Sequence, residues 1–220
     1  MGNRHVSVIV PVLNSPQLVM QFWIGLTSFN NHDIELIFVD NGSNGITKNV
    51  LHQCSILSPV PVIVMTNPTN IGFGPASNQG ARMASGDILI FTQPDVVIHG
   101  SFDSALEPID NGVLYGPRLL AYDTGWNKFG SVVVPYLEGW FLVCTRTTWN
   151  ILGGFDERYV PADFEDIDLA YLAKQMGMVL TERSFPVRHN HPGSSAWNQF
   201  PNRVEVTKAN QERFRQKWSL

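Results

Sequence analysis

The first hundred residues alternate between short apolar runs and segments whose apolar residues recur at helical spacing. The apolar runs have the length of buried strands and cover residues 6–11, 34–39, 60–65 and 87–91. Helices are predicted between them, beginning at the Ser15-Pro16 cap, lying within 46–57, and running from Pro75 to about residue 84. This order predicts the α/β class, with a central, mostly parallel mixed sheet flanked by helices.

The pattern changes after residue 98. Short strands are predicted over 112–120, 131–134 and 140–144, and a short helix over 147–152. An acidic helix over 164–176 and an amphipathic helix over 202–218 follow. With no internal repeat and no linker, residues 1–220 are predicted to form one domain.

Two carboxylates end apolar strands of this predicted sheet. Pro94 closes the run 87–91, so that Asp95 stands at the sheet edge where open α/β sheets bind ligands. Asp40 ends an earlier strand and can accept hydrogen bonds from a nucleobase or from ribose hydroxyls. The alternative for both is a turn aspartate that stabilises its own loop.

The loop 67–78 precedes the third helix and is typical of anion binding at a helix N-terminus. Gly72 and Gly74 also invite a dinucleotide-binding interpretation, with Asp95 at a suitable distance. Ser77 stands where that motif has its third glycine, so this indication is weak.

Four acids lie within the six residues 163–168. The helix macrodipole explains one or two of them. Because crowded carboxylates repel one another, their proton affinity rises, and this suits a general base. The alternative is an acidic helix start with a purely structural role.

His189 and His191 alternate along a predicted extended segment, so one of them should point inward. A histidine beside Asp95 would complete a mixed oxygen and nitrogen site for Mn²⁺ or Mg²⁺. The alternative is a histidine of a surface loop.

Composition excludes several classes of protein. Hydrophobic residues make up 44% and charged residues 15% of the 220 residues, so the chain is globular rather than disordered. The net charge of −4, without a long basic run, argues against nucleic acid as a partner. Two cysteines are too few for a disulfide framework, and neither a signal peptide nor a membrane span is predicted. We therefore expect a cytoplasmic protein.

Taken in order, these pieces resemble glycosyltransferase family 2, particularly its rhamnosyltransferase-like members. The resemblance spans nearly the whole chain and rests on residues 6–14, 40–43, 70–80, 84–87, 93–95, 153–157 and 165–169. It implies a GT-A fold, a nucleotide-diphosphate sugar donor, a divalent metal (Mn²⁺ or Mg²⁺) and inversion at the anomeric carbon. It also assigns the nucleotide to residues 1–98, and the acceptor and the catalytic base to 99–220.

The resemblance also implies roles for single residues. Asp166 would be the catalytic base, and Asp95 would bind the metal with His189 or His191. The residues implied to bind the nucleotide sugar are Pro11, Val12, Leu13, Asn14, Asp40, Asn41, Asn70, Gly72, Phe73, Asn78, Arg82, Gln93 and Asp95. Those implied to face the acceptor are Glu138, Gly139, Trp140, Phe141 and Glu165.

Two positions depart from the family pattern. Gln93 replaces the first acid of the Asp-x-Asp motif, as in the rhamnosyltransferase-like members, and Leu172 stands where an arginine often follows. Arg82 or Arg188 would then contact the pyrophosphate.

The prediction is an inverting, metal-dependent glycosyltransferase of polysaccharide or glycoconjugate synthesis, whose acceptor is a saccharide, free or lipid-linked. The alternative is a catalytically inactive nucleotide-binding module with the same fold. For the basic residues of the last helix we favour packing on the domain, and the alternative is contact with an anionic membrane at its inner face.

Overall fold

The computed structural model describes residues 5–29, 33–127, 130–190 and 202–220. The strands in these ranges are β1 (Val6–Val12), β2 (Ile34–Asp40), β3 (Val62–Thr66), β4 (Ile88–Thr92), β5 (Val96–Ile98), β6 (Val113–Gly116), β7 (Leu119–Asn127), β8 (Gly130–Leu137), β9 (Phe141–Thr145), β10 (Val179–Glu182) and β11 (Val187–His189). The helices are α1 (Pro16–Phe29), α2 (Gly45–Leu57), α3 (Phe73–Met83), α4 (Arg146–Leu152), α5 (Glu165–Gln175) and α6 (Arg203–Trp218), with a 3₁₀ turn over Asp103–Leu106.

A seven-stranded mixed sheet runs through the molecule in the order β10-β6-β9-β4-β1-β2-β3. Strands β4, β1, β2 and β3 are mutually parallel, β9 is antiparallel to both β4 and β6, and β10 is parallel to β6. Two small antiparallel sheets, β5 with β11 and β7 with β8, lie beside it. The α/β class and the mostly parallel central sheet are confirmed.

The central strands are buried on both faces, and this explains their continuous apolar sequences. Every residue of β1, β2 and β4 is buried. Side chains alternate along β1, so that Val8 and Val10 enter one core cluster and Ile9 enters the other. The second cluster also includes Ala76 and Ala81 of α3. Gly80 allows α3 to approach the sheet, because a Cβ there would lie 2.4 Å from Cγ2 of Ile9.

Prolines set some element boundaries differently from the sequence prediction. Strand β1 continues through Pro11, which pairs in register with Val39, because pairing with β4 already ends at Ile9. Helix α3 begins at Phe73, two residues before Pro75, since the first turn of a helix needs no donor from proline.

Three short strands were not predicted. Strands β5 and β11 have three residues each, and β10 is half exposed, so none forms a recognisable apolar run. They exist because of tertiary pairing: β11 with β5, and β10 with β6.

The β7–β8 hairpin, α5 and α6 share a third core, in which Phe164 and Phe214 are buried. Helix α6 thus packs on the domain, as we favoured from sequence. In the part of the chain that is described, no helix has the length and apolar character needed to cross a bilayer. Cys54 and Cys144 are buried free thiols.

Candidate active site

A cleft of about 770 Å³ opens at the carboxyl ends of β1, β2 and β4. Its walls come from several separate parts of the chain. Residues 11–13 lie at the end of β1, 93–95 follow β4, 136 and 138–140 lie at and just after the end of β8, and 161–167 surround the start of α5. His189 of β11 and Arg203 and Thr207 of α6 complete it.

Asp95 lies in this cleft because β4 ends at Thr92, three residues before it, and β5 begins immediately after it at Val96. The antiparallel pairing of β5 with β11 sets Val96 opposite His189, and the Asn190 N–H donates to the Asp95 carbonyl at 3.0 Å. Nε2 of His189 consequently lies 3.4 Å from Oδ2 of Asp95. Asp95 is only 3% exposed, and neither of its carboxylate oxygens accepts a hydrogen bond from the described residues.

A buried carboxylate without hydrogen-bond donors is costly unless a cation compensates it. Asp95 and His189 supply one oxygen and one nitrogen donor, and Gln93 lines the same wall. No cluster of three or more His, Cys, Asp or Glu side chains suited to a metal occurs among the described residues. The pair therefore fits a divalent ion of the kind that takes its other ligands from phosphate oxygens and water. His191 lies outside the described residues.

Trp140 fixes the imidazole of His189. The two rings stack with centroids 4.8 Å apart and planes inclined by 10°. Trp140 is itself held by two hydrogen bonds. Its indole Nε1 donates to Oε2 of Glu138 at 3.2 Å, and its backbone carbonyl accepts from Oγ1 of Thr92 at 2.9 Å. One face of Trp140, a residue implied to face the acceptor, is thus covered by His189.

Asp166 projects from the first turn of α5 towards the end of β8. Its Oδ2 accepts the Gly139 N–H at 2.9 Å and its Oδ1 accepts the Ile167 N–H at 2.8 Å. A Cβ on residue 139 would lie 3.1 Å from Cβ of Asp166, so glycine allows this close approach. The carboxylate is therefore held in a defined orientation in the cleft.

Burial raises the pKa of Asp166 to about 6, although its two backbone N–H donors oppose the rise. Burial and the neighbouring charge of Asp166 raise the pKa of Glu165 well above its ordinary value. Oε2 of Glu165 is buried and has no hydrogen-bond partner among the described residues. The pKa of Glu165 is raised further than that of Asp166, so Glu165 keeps its proton to higher pH and Asp166 is the member of the pair that ionises first.

Asp168 faces away from the cleft, as expected for a residue about 200° around the helix from Asp166. Its Oδ1 accepts from the Tyr159 hydroxyl at 3.0 Å and from Nε1 of Trp218 at 2.7 Å. Its Oδ2 accepts from Nζ of Lys217 at 2.7 Å. Asp168 thus attaches α6 to α5 and has a structural role.

Asn41 belongs to a hydrogen-bonded group at the end of β2. Its Nδ2 donates to the Gly72 carbonyl at 3.1 Å, and its Oδ1 accepts from Asn67 at 3.0 Å. Asp40 is fully buried, and its Oδ1 accepts the Ser43 N–H at 2.8 Å, which is the turn arrangement considered as the alternative. Oδ2 of Asp40 has no hydrogen-bond partner in the ranges described.

The structure brings most of the sequence-predicted site residues into the cleft and leaves six outside it. Those lining the cleft are Pro11, Val12, Leu13, Asn41, Asn70, Phe73, Gln93, Asp95, Glu138, Gly139, Trp140, Glu165, Asp166 and His189. Those that do not line it are Asn14, Asp40, Gly72, Asn78, Arg82 and Phe141.

Contacts elsewhere explain several of these placements. The amide of Asn78 is bonded to the backbone of Phe155 in both directions, at 2.8 and 3.0 Å. Arg82 is exposed and lies 3.8 Å from Glu157. The ring of Phe141 is fully buried in the core.

Twelve cleft residues were not named as site residues from sequence, and the polar ones among them are Ser15, Arg118, Tyr136, Asp163, Arg203 and Thr207. Arg118 and Arg203 bring positive charge into the cleft. This is notable because Leu172, at the position where the family often has an arginine, packs against the core and has no arginine near it in sequence. The sequence signal for Arg203 was only its place among the basic residues of the last helix.

Comparisons with known proteins bear on the family and on the fold. The family model described as Glycosyl transferase family 2 matches residues 7–150. A curated relative from Bacillus subtilis (strain 168), the uncharacterized glycosyltransferase YfnE, is 34% identical over 92 residues, which are 41% of this chain and 23% of that protein. The match thus spans about a quarter of the relative.

Solved structures share the fold over most of this chain. The mannosyltransferase PcManGT from Pyrobaculum calidifontis, in complex with GDP-Man and Mn²⁺, aligns with a TM-score of 0.66 and 17% identity, over 90% of this chain and 60% of that one. TarS from S. aureus, residues 1–349 with UDP, gives 0.63 and 15%, over 83% and 59%. GalNAc-T7, with UDP, GalNAc and Mn²⁺, gives 0.74 and 18%, over 97% and 48%.

Proposed function

The chain belongs to glycosyltransferase family 2 and has the GT-A fold, and on this basis we propose that it transfers a sugar from a nucleotide-diphosphate donor to an acceptor hydroxyl, with inversion at the anomeric carbon. One observation carries the proposal: a buried, donor-free carboxylate beside a histidine and an ionised carboxylate of raised pKa line one cleft. Asp95 with His189 suits a cation, and Asp166 suits the role of a base.

Asp95 and His189 would hold Mn²⁺ or Mg²⁺, which when bound would neutralise negative charge on the leaving diphosphate. The Mn²⁺ bound in the solved structures of PcManGT and GalNAc-T7 supports this assignment. The donor-free environment of Asp95 supports it independently.

Asp166 would accept the proton of the acceptor hydroxyl. As that oxygen forms its bond to the anomeric carbon, the bond from this carbon to the diphosphate oxygen breaks, and the nucleoside diphosphate leaves with the bonding electrons. A single displacement of this kind inverts the anomeric configuration. The N–H groups of Gly139 and Ile167 keep the base oriented throughout.

The donor would lie along the wall formed by the ends of β1 and β2, where Asn41, Asn70 and Phe73 line the cleft. The acceptor would enter from the side of Glu138, Gly139 and Trp140. This retains the predicted division between a nucleotide-binding half, 1–98, and an acceptor half, 99–220.

We propose a saccharide acceptor, free or lipid-linked, in cytoplasmic polysaccharide or glycoconjugate synthesis. Most basic side chains of α6 serve contacts within the domain: Arg203 bonds Asp163, Lys217 bonds Asp168, and Arg215 bonds the Thr124 carbonyl. Packing thus accounts for most of the basic face of α6, which weakens the alternative of membrane contact.

A panel of nucleotide sugars, incubated with purified protein and Mn²⁺, tests the proposal. We expect release of nucleoside diphosphate from at least one donor, and faster release when its acceptor is present. An inactive nucleotide-binding module would bind a donor, seen as a raised melting temperature, and release nothing.

A further inference from the structure

The turn that presents the candidate base has an unfavourable backbone conformation. Asp163 and Phe164 are consecutive residues with positive φ angles of 77° and 76°, and α5 begins directly after them. Left-handed backbone is disfavoured for residues with a Cβ, so the surrounding structure has to hold this turn in place.

Three side chains on one face of α6 hold it. Nδ2 of Asn210 donates to the carbonyls of Ala162 and Asp163 at 2.9 and 3.0 Å. The carboxylate of Asp163 accepts from Arg203 at 2.5 Å and from the Thr207 hydroxyl at 2.6 Å.

Arg203, Thr207 and Asn210, hereafter the α6 clamp, are spaced by four and three residues and so face the same direction. Asn210 is only 1% exposed, so its two bonds to the turn are shielded from water. Hydrogen bonds to backbone carbonyls of a strained turn fix its shape as well as its position.

We propose that the α6 clamp positions the Glu165–Asp166 pair, so that the last helix of the chain is part of the catalytic apparatus and not only of the core. The inference rests on the proposed function. Clamp residues act through the turn: they hold 163–164 left-handed, and this directs Asp166 towards the Gly139 N–H.

The clamp also alters the charge around the pair. The charge of Asp163 raises the pKa of both Asp166 and Glu165, and the charge of Arg203 lowers that of Glu165. From β8 and its end, Tyr136 and Glu138 face the same region, and Arg118 lies 3.7 Å from Glu138. Removing the charge of Arg203 should therefore raise the pKa of Glu165 directly. It would also leave the carboxylate of Asp163 without its cation, so that the charge of Asp163 should raise the pKa of Asp166 further.

The Gly139 amide reports on the clamp without any substrate, because its N–H donates to Asp166. In a pH titration by ¹H–¹⁵N NMR, this resonance should follow the protonation of Asp166 in the wild-type protein. In Asn210→Ala the titration should be lost or reduced, and in Arg203→Gln it should move to higher pH. Arg203→Lys should restore the wild-type midpoint.

Arg215→Gln is the matched control. Arg215 also attaches α6 to the domain, through the Thr124 carbonyl, but does not touch the turn. The Arg215→Gln substitution should lower the melting temperature and leave the pH titration of the Gly139 amide unchanged. Should Asn210→Ala not fold, Thr207→Val removes one bond to Asp163 at nearly constant volume, and should shift the titration without unfolding the protein.

Turnover separates positioning from donor binding. With a donor that the wild type uses, Asn210→Ala should lower kcat about tenfold or more at nearly unchanged donor KM. An unchanged Gly139 titration in Asn210→Ala and Arg203→Gln would overturn the proposal, as would an equal change in Arg215→Gln. If the wild type transfers no sugar but the clamp variants still change Gly139, the proposed function fails and the clamp stands.

Discussion

Nε2 of His189 lies 3.4 Å from Oδ2 of Asp95, although one residue follows β4 and the other ends β11. The short pairing of β5 with β11 produces this contact. It encloses a carboxylate that accepts no hydrogen bond from the described residues. This arrangement suits a bound cation but lowers the stability of the metal-free protein.

Asp95→Asn should therefore raise the stability of the metal-free protein while abolishing its response to Mn²⁺. Removing a buried charge without donors should stabilise by about 1 kcal/mol, or about 2–4 °C in melting temperature for a domain of this size. Calorimetry with and without Mn²⁺ measures both effects. Asp103→Asn, at an exposed position, should change neither. An Mn²⁺-dependent rise in melting temperature that persists in Asp95→Asn would refute the metal assignment.

Trp140→Ala should weaken Mn²⁺ binding about tenfold, because the imidazole of His189 loses the ring that orients it. Trp140→Phe keeps a stacking ring and should retain nearly normal affinity. Titration calorimetry with Mn²⁺ in the presence of a nucleoside diphosphate measures the difference. Equal affinity of the alanine variant and the wild type would show that the stacking is incidental.

Asp168→Asn should destabilise the domain by about 2 kcal/mol, because it weakens the hydrogen bonds that the buried carboxylate accepts from Tyr159 and Trp218. It also leaves Asp156 as the remaining charge partner of Lys217. Urea unfolding measures the loss. Lys217→Met should cost a similar amount, and the double variant should recover part of it. Donor KM should stay unchanged, since Asp168 does not line the cleft. A stability change near zero would contradict the structural role of Asp168.

The rate of transfer should fall as the pH drops through about 6, where Asp166 becomes protonated. The direction follows from the role: a base must be deprotonated, so the rate is full above this pKa and decreases tenfold per pH unit below it. Glu165→Gln mimics the protonated partner and should leave this acidic limb near its wild-type position. A Glu165→Gln variant with no turnover at any pH would instead identify Glu165 as the base.

The fold of residues 1–98 was largely predictable because its sequence signals are local. Strands β1, β2 and β4 are buried on both faces, so each is a continuous apolar run in sequence. Asp95 could be placed at the cleft because its position follows from the end of one strand. By contrast, β5 and β11 exist only through pairing with each other, and no pattern within three residues reveals that.

The acidic segment 163–168 shows where sequence stops being informative. Crowding predicted raised proton affinity, and the pKa values of Glu165 and Asp166 are raised, but burial is the main cause and the charges of neighbouring acids add less. Helix geometry separated Asp168 from Asp166. The ion pair between Asp163 and Arg203 could not be predicted, because the two residues lie 40 positions apart in sequence. The spacing of apolar residues in α6 also leaves open which face of that helix packs on the domain. Charge alone could not assign that arginine to packing, membrane contact or the site.

The proposed function depends most directly on Asp166 as the base, and the transfer rate of the Asp166→Asn variant tests this role. The variant keeps the shape of the side chain and should bind the donor and Mn²⁺ with nearly wild-type affinity. Its transfer rate, measured as glycosylated product per enzyme with saturating donor, should fall by about 10²–10⁴-fold. Transfer at a rate within a few-fold of the wild type would contradict the central claim.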